Sequence, residues 1–338
     1  MSGSIRSVIF LASFLICWTC CETTCHSEVN SELANDPHKV VGAENCSKCH
    51  QNELNVWKQT PHFHTFDTLH RKPEAQQIAE RMGIRSIKRD ETCMQCHYTA
   101  QQDGSRSKLI SGVSCESCHG AAKDWLTIHN DYGGPDVTKE MESDAHRRKR
   151  RLTSMKNGMR NPTNLYLVAR SCLNCHTTPM EKLVNVGGHP AGSQSFELVS
   201  WSQGMVRHNF VRSNGTTNNT SDSARLRQMF VVGVMADLEY SLRATAQATE
   251  KAKFGIANAE RANRARLLLL SLQERLNDPH IQQALDAIKV VRLTPNNREV
   301  LEQVADQVGS AAFIFAQKSD GATLAAIDDL IPPPSQYK

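Results

Sequence analysis

The sequence has few aromatic residues and little net charge. Phenylalanine, tryptophan and tyrosine make up 6% of the 338 residues, and the formal net charge is +4. So small a charge gives no argument for a nucleic-acid partner or for binding to a membrane surface. A packed interior normally takes much of its apolar area from aromatic rings. Some other apolar group would have to supply that area here.

Cysteine is almost confined to four short strings. Of the twelve cysteines, four lie near the N-terminus, at positions 17, 20, 21 and 25. The other eight all belong to strings of the form Cys-x-x-Cys-His. The strings are Cys46, Cys49 and His50; Cys93, Cys96 and His97; Cys115, Cys118 and His119; and Cys172, Cys175 and His176.

This string is the attachment sequence of c-type haem. The two thiols add to the two vinyl groups of one porphyrin, so they must lie one helical turn apart, and the adjacent histidine binds the iron. A single copy could instead be half of a zinc site or a redox dithiol. Zinc sites do not need a histidine directly after each pair, and redox dithiols lie beside a βαβ pattern that this sequence lacks. We therefore predict four covalently attached haem c groups, each with an iron.

Residues 1–28 predict a secretory signal peptide. Arg6 precedes an apolar run, Val8–Trp18, which has the length of the hydrophobic part of a signal peptide and is too short to span a bilayer comfortably. Two alternatives stay open: a lipid on one of the leader cysteines, which would associate the protein with a membrane, and a retained anchor helix. We expect a periplasmic or otherwise extracytoplasmic protein, because haem attachment outside the cytoplasm would leave no spare thiol in the mature chain.

The rest of the sequence divides into two parts. Residues 40–211 hold the four motifs, have few β-patterned runs and predict a tetrahaem domain with little regular structure, because porphyrins would supply its core. A polar linker leads to residues 221–331, an all-helical domain of unknown role that could pair two copies of the chain. Apolar residues at three- and four-residue steps predict its helices, over 221–254, 259–276, 279–290 and 295–317. The predicted fold class is therefore mainly α.

Nine further histidines follow the leader, and four irons need at most four of them as second axial ligands. A second histidine makes a haem an electron carrier, whereas an open side lets a small molecule bind the iron. The nine are His38, His62, His64, His70, His129, His146, His189, His208 and His280.

Two stretches resemble the tetrahaem cytochrome c-554 family. One is the first motif followed by Trp57-Lys-Gln-Thr-Pro-His62, and the other is Gly112-Val-Ser-Cys-Glu-Ser-Cys-His-Gly120 followed by His129. The resemblance covers roughly residues 42–176. It implies that His62 binds the iron of His119 and that His129 binds the iron of His50. It also implies that the haem on His97 keeps one side open.

The region after the fourth motif is similar to a wider set of multihaem cytochromes with a Gly-His-Pro…Phe-Glu…His pattern. The pattern here is Gly188-His189-Pro190, then Phe196-Glu197, then His208. The similarity implies that His189 and His208 are distal ligands. One of them would bind the iron of His176. If the other binds the iron of His97, no haem stays open.

The sequence favours electron transfer between two redox partner proteins through closely spaced, mostly bis-histidine haems, because the short chain between motifs keeps the haems close. The alternative is an oxidoreductase for hydroxylamine, nitric oxide or nitrite at a five-coordinate haem on His97, with Tyr98 and Arg106 as nearby donors. A third hypothesis makes the haem region a redox sensor or an assembly module. The basic run 146–151 is more simply a solvated face than a docking patch for an acidic partner.

Overall fold

A computed structural model describes residues 33–338, which belong to one compact unit. The predicted signal peptide at residues 1–28 lies outside the described residues. Within residues 33–338, no helix combines the length and the apolar character needed to cross a bilayer. The described part is mainly helical, which confirms the predicted fold class.

Short helices joined by turns make up the region of the four motifs. Their bounds are α1 Ala43–Ser47, α2 Gln51–Trp57, α3 Pro61–Thr68, α4 Pro73–Met82, α5 Glu91–His97, α6 Cys115–His119, α7 Asp144–Lys156, α8 Leu165–His176, α9 Glu181–Asn185 and α10 Leu198–Ser202. Single turns of 3-10 helix occur at Leu69–Arg71 and Asn209–Ser213. Helices α5, α6 and α8 each end on a motif histidine.

Side-chain caps start the helices that carry the last three motifs. The Asp90 carboxylate accepts the N–H of Thr92 at the start of α5. Ser114 and Ser117 form a capping box on α6, and the Asn164 side chain accepts the N–H of Tyr166 on α8. These caps satisfy N–H groups that a helix otherwise leaves unpaired at its first turn. Each of these three helices therefore begins at a side-chain cap and ends at the histidine of its motif.

A β-hairpin, which the sequence did not predict, separates the second motif from the third. Strands β1 (Thr99–Asp103) and β2 (Arg106–Ser111) pair antiparallel. Gly104 makes the turn with a φ of 56°, in the left-handed region that suits glycine. The Thr99 hydroxyl donates to the carbonyl of Gly112 and so ties the hairpin to the segment that enters the third motif.

Four longer helices follow: α11 Ser223–Ala246, α12 Lys253–Leu276, α13 Pro279–Ile288 and α14 Arg298–Lys318. Helix α11 is the central one, since it packs against α12, α14 and the motif-bearing α8. Helix α13 begins at Pro279, as the sequence predicts, and the Asp278 side chain caps it. Further 3-10 turns at Ala322–Leu330 and Pro334–Gln336 end the chain.

Three predicted helix boundaries in this part are wrong. The second helix, predicted to start at residue 259, begins at Lys253. The predicted helix 221–254 ends at Ala246, because the carboxylate of Glu181 accepts the N–H groups of Thr249 and Glu250 and holds the chain in a turn. The predicted start of the last helix at Pro295 is also wrong. Asn296 takes a left-handed φ of 57°, and the helix begins at Arg298 instead.

The haem region and the C-terminal helices share apolar contacts. One buried cluster joins Val184 and Ala191 of the haem region to Ala244, Ala248 and Phe254. The division into a tetrahaem domain at 40–211 and a helical domain at 221–331 stays a prediction.

Candidate haem sites

Each motif histidine faces one of the four predicted distal histidines. All eight predicted ligands are used once. The distances between ring centroids are 6.4 Å for His50 and His129, 6.2 Å for His176 and His62, 6.4 Å for His97 and His189, and 6.1 Å for His119 and His208.

These separations fit one metal ion between each pair of rings. A bond from imidazole nitrogen to a metal is about 2.0–2.1 Å long, as seen for zinc, and that nitrogen lies about 1.1 Å from the ring centroid. Two imidazoles on opposite sides of one ion therefore have centroids about 6.3 Å apart. The observed range of 6.1 to 6.4 Å agrees with that value. Coordination of iron by these eight residues stays a prediction.

The pairing of His62 differs from the one that the family resemblance implied. His62 faces His176, whereas His119 faces His208. The backbone carbonyl of His62 does lie beside the third motif, where it accepts the N–H of Val113 at 3.0 Å. Its ring, however, lies against the histidine of the fourth motif. His189 and His208, one of which was expected to bind the iron of His176, face His97 and His119 instead.

The other two pairs contain His50 and His97. The pair of His97 concerns the haem for which the resemblance implied an open side. His129 lies opposite His50, in the arrangement expected from the resemblance. His189 lies opposite His97, with the two ring planes 51° apart. A haem iron bound by His97 would therefore have the imidazole of His189 on the side where a small molecule would have to bind.

Hydrogen bonds orient most of the eight rings. A backbone carbonyl can only accept, so a ring Nδ1 beside a carbonyl carries the proton and leaves the lone pair on Nε2 for a metal. The Nδ1 partners are Arg160 O for His119 at 3.4 Å, Leu126 O for His129 at 2.5 Å, Pro190 O for His189 at 2.8 Å and Val206 O for His208 at 2.7 Å. The Nδ1 of His176 lies 2.9 Å from the Ser193 hydroxyl, and that of His50 lies 3.4 Å from the Glu53 carboxylate.

Burial keeps three motif histidines neutral. It lowers the pKa of His97, His119 and His176 to about 4, because a charged imidazolium loses its hydration inside the protein. At neutral pH each ring therefore has a free lone pair, as an axial ligand of iron requires.

The thiols of different motifs lie side by side. In the chain without haem, the side chains of Cys46 and Cys115 are close enough to interact, which raises the pKa of Cys115 and lowers that of Cys46. Cys96 and Cys175 interact in the same way, which raises the pKa of Cys175 and lowers that of Cys96. These contacts place the attachment points of the first and third motifs together, and likewise those of the second and fourth.

A third contact joins the two groups of motifs. The Ser171 hydroxyl, on α8, donates to the carbonyl of Cys118 in the third motif at 3.1 Å. Arg160 reinforces this contact, since its guanidinium donates both to the carbonyl of Ser117 and to the Ser171 hydroxyl. The four motifs therefore form a continuous series in the order first, third, fourth, second.

Buried donors without a protein partner also fit haem. Buried polar groups almost always have hydrogen-bond partners, yet four buried donor atoms beside the histidine pairs have none. They are Tyr98 Oη after His97, Trp125 Nε1 beside the ring of His129, Arg207 Nε before His208, and Arg261 Nη2, whose guanidinium contacts the His176 carbonyl. A haem carries propionate carboxylates that accept hydrogen bonds, so the residues present fit this group.

Comparison with known proteins agrees with this geometry. The sequence pattern of the family described as cytochrome c554 and c-prime matches residues 45–120, which contain the first three motifs. Over 100 residues the chain is 32% identical to cytochrome c-554 of Nitrosomonas europaea.

Residues 45–120 belong to the cytochrome c-554 family. This match over residues 45–120 agrees with the resemblance to a family of multihaem c-type cytochromes. The alignment with the Nitrosomonas protein covers 27% of this chain and 43% of that protein, which is less than half of its length. No solved structure matches the chain. Helices α11–α14 lie outside the cytochrome c-554 segment.

Sequence reasoning missed the role of Glu116, the glutamate inside the third motif of the cytochrome c-554 segment. Its carboxylate is 1% exposed and accepts the N–H groups of Val41, Gly42 and Ala122 at 2.8 to 3.0 Å. Glu116 therefore fixes the chain that enters the first motif against the third. The only signal of this role in the sequence was a carboxylate between the two cysteines of a motif that Gly120 follows directly.

The basic run 146–151 is only partly a solvated face. His146, Arg147 and Arg150 surround the buried carboxylate of Glu142. The guanidinium of Arg150 also donates to the carbonyl of His129. This part of the run therefore anchors a predicted ligand, whereas Arg148 is exposed.

Proposed function

We propose that this protein is an extracytoplasmic tetrahaem cytochrome that carries electrons between two redox proteins. The observation that carries the proposal is the set of four histidine pairs, with ring centroids 6.1 to 6.4 Å apart. Two imidazoles on each iron give a six-coordinate haem that exchanges electrons and has no free position for a substrate.

The series of motifs supports transfer from haem to haem. Adjacent attachment points in the order first, third, fourth, second would let an electron cross the protein in short steps. The first site is one end of this series, and the side chain of His50 is 38% exposed there. Haem supplies the change of iron oxidation state, while the chain contributes axial ligands, burial and nearby charge as means of setting each potential.

A second candidate is a redox enzyme for a small nitrogen compound at the haem on His97. The buried, unpartnered hydroxyl of Tyr98 favours it, because such a group could deliver a proton beside that haem. His189 opposes it, because this imidazole would have to leave the iron first. We therefore favour the carrier.

Optical and EPR spectra of the purified ferric protein, with cyanide or nitric oxide added afterwards, test the proposal. We expect four haems per chain, all low-spin and none of them able to bind the added ligand. A high-spin haem that binds cyanide in the unmodified protein would contradict the carrier and favour the enzyme. The His189→Ala variant should create one such haem, and His280→Ala, which removes a histidine outside the four pairs, should create none.

The proposed location outside the cytoplasm needs a separate test. Cell fractionation should recover the haem-containing protein in the periplasm, and deletion of residues 1–28 should abolish haem attachment. A haem-containing cytoplasmic product of the shortened chain would contradict this location.

A further inference from the structure

The C-terminal helices reach the fourth haem site through one buried ion pair. Arg261 on α12 donates from Nε to the Asp237 carboxylate on α11 at 2.5 Å. The same guanidinium donates from Nη1 to the carbonyl of His176 at 3.0 Å and to that of Ser193 at 3.2 Å. The Ser193 hydroxyl in turn lies 2.9 Å from Nδ1 of His176. Arg261 therefore holds the backbone of His176 and also that of Ser193, the residue whose hydroxyl contacts the His176 ring.

The charges of the pair are unequally screened. The side chain of Arg261 is 2% exposed, whereas that of Asp237 is 23% exposed. Water weakens the field of the carboxylate more than that of the buried guanidinium. In addition, Arg261 Nη2 has no protein acceptor. The net electrostatic potential that the ion pair produces at His176 is therefore positive.

We infer that Arg261, opposed by Asp237, raises the reduction potential of the haem bound by His176, so that the C-terminal helices tune one haem of the series. The inference rests on the proposed function, since it needs a bis-histidine haem at His176. Ferric haem carries one more positive charge than ferrous haem. A buried cation next to the axial ligand therefore destabilises the ferric form and favours the electron. Arg261 is a positioning residue that acts on the haem through charge.

Redox titration of the full haem-containing chain tests this inference, with the optical spectrum recorded at each potential. Arg261→Gln should lower the potential of one haem and raise its ratio of oxidised to reduced form by up to about tenfold at a fixed potential, which corresponds to 59 mV for one electron. Asp237→Asn should shift the same haem in the opposite direction. The double variant, which replaces a neutral pair with another neutral pair, should return most of the way to the original potential.

Two further variants serve as controls. Arg261→Lys keeps the charge and should keep most of the potential. Arg275→Gln removes a cation from the same helix that pairs with Asp329 at 2.6 Å. Residue 275 lies about 21 Å along α12 from residue 261, so this change should leave all four potentials unchanged.

The inference is overturned if Arg261→Gln and Asp237→Asn shift the potential in the same direction, or if neither shifts it while four low-spin haems remain. A merely structural role for Arg261 predicts the first result, because either change would loosen the same contact. Failure of the proposed function would appear differently, as a missing or high-spin haem in the unmodified chain. If Arg261→Gln does not fold, Asp237→Asn still decides the sign, because it removes the opposing charge and should raise the potential of the same haem.

Discussion

The exchange of partners between His119 and His176 gives the sharpest prediction. The structure pairs His119 with His208 and His176 with His62, whereas the family resemblance implied that His62 faces His119. His208→Ala should therefore open the third haem, and His62→Ala should open the fourth. Each variant should gain one ligand-binding, high-spin haem and lose one of four low-spin signals.

The angles between ring planes identify which signal is lost. The planes of His119 and His208 are 86° apart, those of His62 and His176 are 55° apart, and those of His50 and His129 are 28° apart. A bis-imidazole ferric haem with nearly perpendicular planes gives an EPR signal with an unusually large maximum g value, whereas nearly parallel planes give an ordinary rhombic signal. The third haem should therefore carry the signal with the largest g value.

EPR of the ferric variants, with integration of each low-spin signal, measures this effect. His208→Ala should remove the signal with the largest g value, about a quarter of the low-spin intensity. His62→Ala should leave that signal intact and remove a different one. The pairing described here is refuted if His62→Ala removes the signal with the largest g value. His64→Ala, which removes a histidine from the same helix outside the four pairs, should change none of the signals.

Three further predictions concern stability. Tyr166→Phe removes the hydroxyl that donates to the buried Glu239 carboxylate at 2.7 Å. Because a hydrogen bond to a charged group contributes roughly 1.5–3 kcal/mol, chemical denaturation should show a loss of about 2 kcal/mol in the free energy of unfolding. An unchanged free energy of unfolding would contradict this. Gly309→Ala would place a methyl group 2.6 Å from Tyr166 Oη. Overpacking of this kind lowers the free energy of unfolding by about 1–3 kcal/mol. A variant as stable as the original would show that α14 and α8 move apart easily to make room for the methyl group. The Arg150 guanidinium lowers the pKa of Glu142 from 4.5 to about 2. The native state therefore binds fewer protons than the unfolded chain between these values, and the stability from Glu142 is present above pH 4.5 and is lost as the pH falls through about 2. Glu142→Gln should flatten the dependence of the urea midpoint on pH in that window, and an unchanged slope would exclude this carboxylate as its source.

The sequence allowed the attachment residues to be predicted because their chemistry is local. Two thiols and a histidine must reach one porphyrin, so five consecutive residues contain the whole signal. Proline similarly marked the first residue of the helix Pro73–Met82 and of α13. The end of α11 had no such signal, since the turn depends on Glu181, which is far away in the sequence.

The pairing of the histidines could not be predicted for the same reason. His62 lies beside the third motif through its backbone and beside the fourth through its ring, and no feature near residue 62 distinguishes these two outcomes. The role of Arg261 was equally hidden. A single arginine on a helix usually extends into solvent, and its burial follows only from the packing of α12 against α11 and the fourth site.

The four histidine pairs also determine how this region can be assembled. Each pair joins residues about 80 to 115 positions apart, so each iron would close a long loop of chain, and closure of a long loop costs only slightly more entropy than closure of a shorter one. The loops overlap, and all four contain residues 119–129. Every loop that joins the two axial ligands of one iron therefore contains residues that also belong to the other three loops. Ligation should therefore be cooperative over the whole region, and a single cut within residues 119–129 would open every loop at once.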